Sequence, residues 1–424
     1  MSATVSAPTG AGPTGTAPDR SRPLTGYRVL DFTHAAAGPY ATMWLADLGA
    51  EIVKIEKPGR GDGARYMGEP MHGPKHSDYF VALNADKQSV SLNLHTPEGV
   101  ALARELVAHC DIVVQNFRPG VMDKLGLGFA DLAPLREGLV YCSLSAFGAE
   151  SSWRGRPAND IIMQGVTGMM DITGEPEGDP VRVGVPISDF STGLFGLSGV
   201  LAALLARPAH PEGQHVEVSM FDATLALMAN YIPSVQDLGK PVPRMGRGHP
   251  QIVPYQAFRC GDGGYVIIGA FTSAFWRRLA AALDHEEWIT DERFATNAAR
   301  MENRHVLVPL IEDILAGDTR DAWCAVLETA DVPHTPVHTV PEALASVQAQ
   351  ESGTTIEVHD PARTRSGHVA ANPVRSKAWP TREHTTSPHI GEHTARVLTG
   401  LLGKSEQDVD ALVEAGVVGR EETA

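Results

Sequence analysis

The chain has 424 residues, long for one ordinary domain and comfortable for two. Lys and Arg number 35 against 51 Asp and Glu, a formal charge of −16 with no densely basic stretch. That excludes a surface built on nucleic-acid phosphates, which needs clustered cations, and 43% hydrophobic residues exclude wholesale disorder.

Residues 1–22 begin MSATVSAPTGAGPTGTAPDR, without the basic and apolar segments of a signal peptide, and a flexible tail is expected. Tyr27–Phe32 (YRVLDF) reads as a short strand, Thr33–Pro39 as a small-residue loop, and a helix runs on through Leu48. Glu51–Glu56 (EIVKIE) follows as a second strand, so the order is that of a parallel βαβ unit. The alternation returns with Ser89–Leu94 as strand, Pro97–His109 as helix with Thr96 as N-cap, and Asp111–Gln115 as strand. Leu139–Ala146 reads as another strand, Val181–Ile187 (VRVGVPI) is strand-like, and Leu194–Leu205 is an apolar helix. The expected fold is α/β, a doubly wound parallel sheet in a large domain over 23–225.

The texture changes after Asn230. Prolines break the chain, GDGGYVIIGA looks like a turn entering a strand, and amphipathic helices follow at Phe275–Leu283, Val306–Leu315 and Asp321–Glu328. A smaller α+β domain is expected over 226–340, and residues 341–424 are read as short segments closed by a helix at Thr394–Leu402. Trp276, Trp288 and Trp323 sit at helical spacing and read as core. The four cysteines lie far apart with no CxxC pair, so neither a disulfide framework nor a metal site is expected, and a reducing cytoplasm is the natural compartment. The longest apolar run, Gly193 to Ala206, is too short for the ~30 Å of a bilayer core, so no membrane partner is expected.

A strand–loop–helix can bind a dinucleotide, but that needs G-x-G-x-x-G in the turn. The loop here is HAAAGPY (His34–Tyr40), with one glycine and a proline directly after it, so hydride transfer is disfavoured despite an acid, Glu56, at the end of the next strand. Cations gather around the strand ends instead: Lys54, Lys57, Arg60 and Arg65, then Lys87, Arg118 and Lys124. In open α/β sheets ligands bind outside the carboxyl ends of the strands; such a cluster suits a ligand with several phosphates, although each cation alone could be a solvated rim residue. Asp160 (PANDIIMQG) and Asp189 (PISDFSTG) stand in apolar, glycine-containing surroundings. Each could be exposed to a ligand, or could be the N-cap of the helix that follows.

These stretches, together with VLDFTHAAAGPYATMWLADLGAEIVKIEKPGRGD, LNADKQSVSLNL, DIVVQNFRPGVMDKLGLG, MGRGHPQIVPYQAF and IGEHTARVL, closely resemble the family III coenzyme A transferases. That group also contains carnitine and formyl-CoA transferases and α-methylacyl-CoA racemases. The match runs in order from Leu24 to about Val418. It implies a large domain made from both ends of the chain, a smaller one between, and a homodimer of interlocked subunits. It implies acyl-CoA and a carboxylic acid as substrates, with no permanently bound cofactor. CoA is expected to contact His34, Ala35 and Ala36, the strand-end residues Lys54, Lys57 and Arg65, Asn84 and Lys87 of NADKQ, Asn116, Phe117 and Arg118 of QNFRPG, and Lys124. The nucleophilic carboxylate of the transferases falls on Asp189.

Two departures bear on substrate. Formyl-specific members carry glutamine where this chain has Ala36, and their glycine-rich lid is not evident in MGRGHP or GAFTS, so a larger acyl group, dicarboxylic or branched, is expected. The racemase branch pairs an aspartate, aligned with Asp160, with a histidine about thirty residues earlier, yet no histidine lies between His109 and His210. CoA transfer is therefore favoured over racemisation, and the presence of both Asp189 and Asp160 favours it over a catalytically silent CoA-binding protein.

Overall fold

The computed structural model describes residues 22–360 and 365–421. The expected tail thus lies outside the described residues, Arg22 excepted. Two compact units emerge: one from residues up to 158 with 188–223 and 354 onward, the other from 159–187 with 224–353.

The larger unit is built on one seven-stranded sheet. Its strands are β1 (Arg28–Asp31), β2 (Glu51–Glu56), β3 (Lys87–Leu92), β4 (Ile112–Gln115), β5 (Val140–Ser145), β6 (Gln214–Ser219) and, near the C-terminus, β12 (Val418–Gly419). Their spatial order is β12-β3-β2-β1-β4-β5-β6, all parallel except β12, which pairs antiparallel with β3. Both faces are covered, which is why the inner strands read as nearly continuous apolar runs. Leu30, Val53, Val90 and Val113 point into a core shared with Leu102 and Leu106 of helix α3 (Pro97–Val107) and with Val397 and Leu398. Their neighbours Val29, Ile52, Ile112 and Val140 point the other way, onto Leu45 of helix α1 (Ala37–Asp47) and Val200. Thr96 caps α3 by accepting the Gly99 N–H at 3.1 Å. A hairpin of β10 (Thr355–Asp360) and β11 (Arg365–Ala370) completes this unit.

The apolar helix is longer than its sequence pattern suggested, Ile187–Ala206, and it has the length and hydropathy of a membrane span. One face of it packs inside the larger unit, while Leu194, Phe195 and Leu205 on it stay exposed. A Cβ on Gly193 would lie 2.6 Å from the Ala37 carbonyl oxygen, and one on Gly196 or Gly199 would meet Leu144 or Val216 at 2.8 and 2.6 Å. The glycine face is what lets this helix press onto α1 and the sheet.

In the smaller unit, β7 (Tyr255–Arg259), β8 (Tyr265–Gly269) and β9 (His334–Pro336) form an antiparallel sheet, turned at Cys260–Gly264. Trp276 and Trp288 are buried in its core and Trp323 packs at the margin. The division expected after 225 falls after 223, but the 159–187 excursion interrupts the span expected to run unbroken over 23–225, and the unit runs on to 353 instead of stopping at 340. Long-range bonds bind the excursion: the Gly246 N–H donates to Gly174 O at 2.9 Å and Arg244 Nε to Asp171 O at 2.8 Å. Local pattern carries no trace of such pairings.

Candidate active site

β1 is flanked by β2 on one side and β4 on the other, so the chain changes winding direction there. Loops leaving such strands part and open a crevice at their carboxyl ends. The loop after β1 carries His34, Ala35 and Ala36; the loop after β4 carries Asn116, Phe117 and Arg118. The two are tied together: the His34 N–H donates to Asn116 Oδ1 at 2.9 Å and Asn116 Nδ2 donates to the His34 carbonyl at 2.8 Å. The His34 ring stands edge-on to Phe117 at 5.3 Å. Burial, with Lys54 nearby, holds its pKa below the ordinary histidine value, so at neutral pH the ring is uncharged.

Three of the expected phosphate cations turn inward. Arg65 forms a two-pronged pair with Glu56, Nε to Oε1 at 2.8 Å and Nη2 to Oε2 at 2.6 Å, over the Phe80 ring. Lys54 lies within β2, not in the loop beyond it, and pairs with Asp62 at 2.9 Å while donating to the Thr33 carbonyl at 2.7 Å. Lys87 opens β3 at its amino end, a correction to the expected strand-end placement. Its ammonium donates to Asn84 Oδ1, Thr42 Oγ1 and the Pro39 carbonyl, and lies 3.3 Å from Asp31 Oδ2. All three side chains have zero exposure. They present no charge to solvent, and Asn84 is equally buried. Lys57, Arg118 and Lys124 are exposed, as is Ala35, whereas Ala36 is buried.

Burial alone would raise the carboxyls of Asp31, Glu56 and Asp62, but the adjoining cations overcome it and all three are held below their ordinary range. Lys54, surrounded by those acids, is raised despite its burial. Lys87 is pulled down to about 8, because burial outweighs the attraction of Asp31.

Asp189 is half-buried in the first turn of the Ile187–Ala206 helix. The helix begins before it, so the N-cap alternative does not hold, and the preceding VRVGVPI is not a strand; Gly184 and Pro186 interrupt it. The next residue, Phe190, stacks on Tyr40 of α1 at 4.3 Å. With Gly193 against Ala37, this seats the Asp189 turn beside the first turns of α1, which start where the His34 loop ends. Asp160 belongs to the smaller unit. Asn159 is the cap of its helix, accepting the Ile162 N–H at 3.2 Å. Asp160 Oδ2 accepts from Gln164 Nε2 at 2.6 Å, and Gln164 Oε1 accepts the Val183 N–H at 2.7 Å.

Beside Phe117 and Arg118 a cavity of about 250 Å³ opens at the end of β4 and along β5 and β6. Gln115 Nε2 donates to Ser143 Oγ at 2.8 Å, and Ser143 Oγ lies 2.8 Å from His215 Nε2, whose ring stacks on Phe129. None of Gln115, Ser143 or His215 was expected from the sequence. The one available signal was polar side chains at strand positions, which only matters once the strands are side by side.

A doubly wound sheet with two loops clamped together at its switch point, a cavity beside them, and a helix bearing a half-buried carboxylate is the framework of an α/β enzyme. The chain belongs to CoA-transferase family III, whose model matches residues 24–394. It is 33% identical over 96% of its length to mouse (Mus musculus) succinyl-CoA:glutarate CoA-transferase, covering 92% of that protein. To the succinate–glutarate CoA-transferase of Agrobacterium fabrum it is 35% identical, over 91% of this chain and 97% of the other. A crystal structure of a CAIB/BAIF family protein from Brucella suis superposes with a TM-score of 0.81 at 35% identity, covering 90% of this chain and 99% of that one. The protein is thus an enzyme, a CoA-transferase of family III.

Proposed function

We propose that Asp189 is the nucleophile of a transfer of CoA from an acyl-CoA donor to a carboxylic acid acceptor. The observation that carries this is its placement: a half-buried carboxylate on the first turn of a glycine-faced helix, packed beside α1 and the switch-point loop. The carboxylate attacks the thioester carbonyl and expels CoA thiolate, leaving a mixed anhydride. The thiolate then attacks the aspartyl half, releasing the donor acid and forming an aspartyl-CoA thioester. The acceptor carboxylate attacks that thioester and expels the thiolate again. Finally the thiolate attacks the acyl half, so product acyl-CoA leaves and the aspartate is regenerated. Each step exchanges one activated carboxyl for another, so neither ATP nor a metal is needed.

In this reading CoA lies at the strand ends, along the His34–Ala36 loop and the Asn116–Arg118 loop. Its phosphates fall to the exposed Lys57, Arg118 and Lys124, while Lys54, Arg65 and Lys87 support the loops from inside. The buried methyl of Ala36 leaves room for an acyl group larger than formyl. Together with relatives named for succinyl and glutarate groups, this favours dicarboxylic donor and acceptor. The working state is a homodimer. Leu194 and Phe195 are 45% and 43% exposed beside the helix face just described, surface that a second copy would cover; light scattering giving a monomer would refute the dimer.

The test is a screen of acyl-CoA donors against acid acceptors by mass spectrometry, with hydroxylamine trapping of the acyl-enzyme. Transfer between dicarboxylates with a hydroxamate on the peptide holding Asp189, and its loss in Asp189→Asn, is expected. Formate and oxalate as the best pair would overturn the substrate class. A label on Asp160, or normal turnover of Asp189→Asn, would overturn the nucleophile, and α-proton exchange without a label would make the protein a racemase.

A further inference from the structure

Ala35 has φ of 62°, in the left-handed region where a residue with a Cβ is strained. Something must hold it there. Asp62 Oδ1 accepts the Ala35 N–H at 3.0 Å and the Ala64 N–H at 2.9 Å. Asp62 Oδ2 lies 2.9 Å from Lys54 Nζ, and the same ammonium donates to the Thr33 carbonyl at 2.7 Å. The Asp62 N–H in turn donates to Glu56 Oε1 at 2.8 Å. With Asn116 holding both backbone groups of His34, three consecutive loop residues are gripped by side chains from three other segments. Both charges of the Asp62–Lys54 pair are fully buried, and burying a pair is a poor way to gain stability alone. What the pair does accomplish is to fix one backbone geometry.

We infer that Asp62, anchored by Lys54, is a positioning residue for the transfer reaction: it locks the Ala35 amide and thereby sets the His34–Gly38 loop in the shape that meets the acyl-CoA. The inference rests on the reading above, in which that loop is part of the CoA site. Asp62 itself touches no reacting atom. It acts through the loop, so loosening it should disorder the loop while leaving the sheet intact.

The experiment pairs hydrogen–deuterium exchange of the peptide containing Ala35 with CoA-transfer kinetics, on full-length wild type, Asp62→Ala and Asp62→Asn. The alanine variant removes the acceptor and should speed exchange of that peptide about tenfold, with kcat/KM falling about 100-fold, the size of loss that a roughly 1 Å misplacement brings. Asparagine keeps an acceptor oxygen but loses the ion pair, so it should recover part of both. It is also the variant to read if alanine does not fold. Asp62→Ala strands the buried Lys54 and should lower the melting temperature, so both readouts are taken well below it; there, faster exchange confined to the Ala35 peptide together with a lower kcat/KM supports the inference. Unchanged exchange and unchanged kinetics in folded Asp62→Asn would overturn it. So would a lowered melting temperature with normal kcat/KM, the mark of a purely structural residue. Absence of transfer in wild type would overturn the functional reading itself and with it any role in the reaction, an outcome visible before any variant is made.

Discussion

Two sets of cations, expected alike at the strand ends, behave in opposite ways. Lys54, Arg65 and Lys87 are sealed inside, each against a carboxylate; Lys57, Arg118 and Lys124 stand in solvent. In sequence nothing separates them: each is a Lys or Arg close to a loop, and even Lys54, inside the predicted strand, lies two residues from its end. In the fold, the buried set braces the strands and the loop after β1 from inside, Lys54 holding the Thr33 carbonyl and Lys87 that of Pro39, and the exposed set is the charge available to a ligand. The contrast teaches that cation density at strand ends has two physical origins, and a mutation separates them. Substitution in the buried set should be paid in stability; substitution outside should be felt in substrate affinity.

The largest effect is expected at the Arg65–Glu56 pair. Glu56 accepts from Arg65 twice, from Ser89 Oγ at 2.6 Å and from the Asp62 N–H. Arg65→Met strands a buried carboxylate, and removing one partner of such a pair costs about 3–5 kcal/mol. Urea denaturation should show that loss, and a midpoint like that of wild type would mean the pair is not sealed as described.

Acid should act on the same set. The carboxyls of Asp31, Glu56 and Asp62 are lower in the folded chain than their ordinary values of 3.8, 4.5 and 3.8. Below those values the unfolded chain binds more protons than the folded one, so stability falls as pH falls. The contribution is present in full above about pH 5 and is lost progressively below it. Denaturation midpoints measured from pH 7 to pH 3 should drop steeply in the last two units for wild type. In Glu56→Gln the drop should be shallower; an equal drop would place the acid-labile groups elsewhere.

A smaller loss is expected where the Asp189 helix meets α1. Gly193→Ala puts a methyl 2.6 Å from a backbone oxygen, which cannot swing aside. Overpacking of this kind costs about 1–3 kcal/mol, and the shifted Asp189 turn should lower kcat more than it raises KM. Normal kcat would separate the nucleophile from this packing.

How far the molecule could be read beforehand follows from the same physics. β2 (EIVKIE) was legible to the residue, because a strand buried on both faces is written as an apolar run, and α3 was legible from Thr96 and Pro97. β6 was missed although QHVEVS alternates polar and apolar, the period of a half-exposed strand; at the sheet edge it lacks the apolar run that marked the inner strands. VRVGVPI had the composition of a strand but no neighbour to pair with. The charged residues were harder still. Lys54 and Glu56 break the apolar rule inside β2, and only the register setting Asp31 beside Lys54 shows why. Asp62, inside GRGD, reads as a turn residue until the Ala35 amide is seen to end on it. Asp189 stood out by resemblance, whereas its local pattern left a ligand-facing carboxylate and a helix cap both open.

The smallest change in stability, and the most telling against the buried set, should come from the exposed cations. Lys57→Ala, Arg118→Ala and Lys124→Ala remove side chains in solvent, so each should stay within about 0.5 kcal/mol of wild type. A phosphate held far from the reacting carbonyl is bound alike in ground and transition states, so its loss raises KM for acyl-CoA and spares kcat. Arg118 should matter most of the three, since it lines the cavity over β4–β6 and follows the Asn116 that clamps the His34 loop. Raising salt should lift the wild-type KM toward that of Arg118→Ala, because screening weakens an exposed pair first, while leaving the Arg65 and Glu56 variants in their relative order. If all three alanine variants keep the wild-type KM at low salt, CoA does not lie along these strand ends, and the exposed cations are rim residues after all.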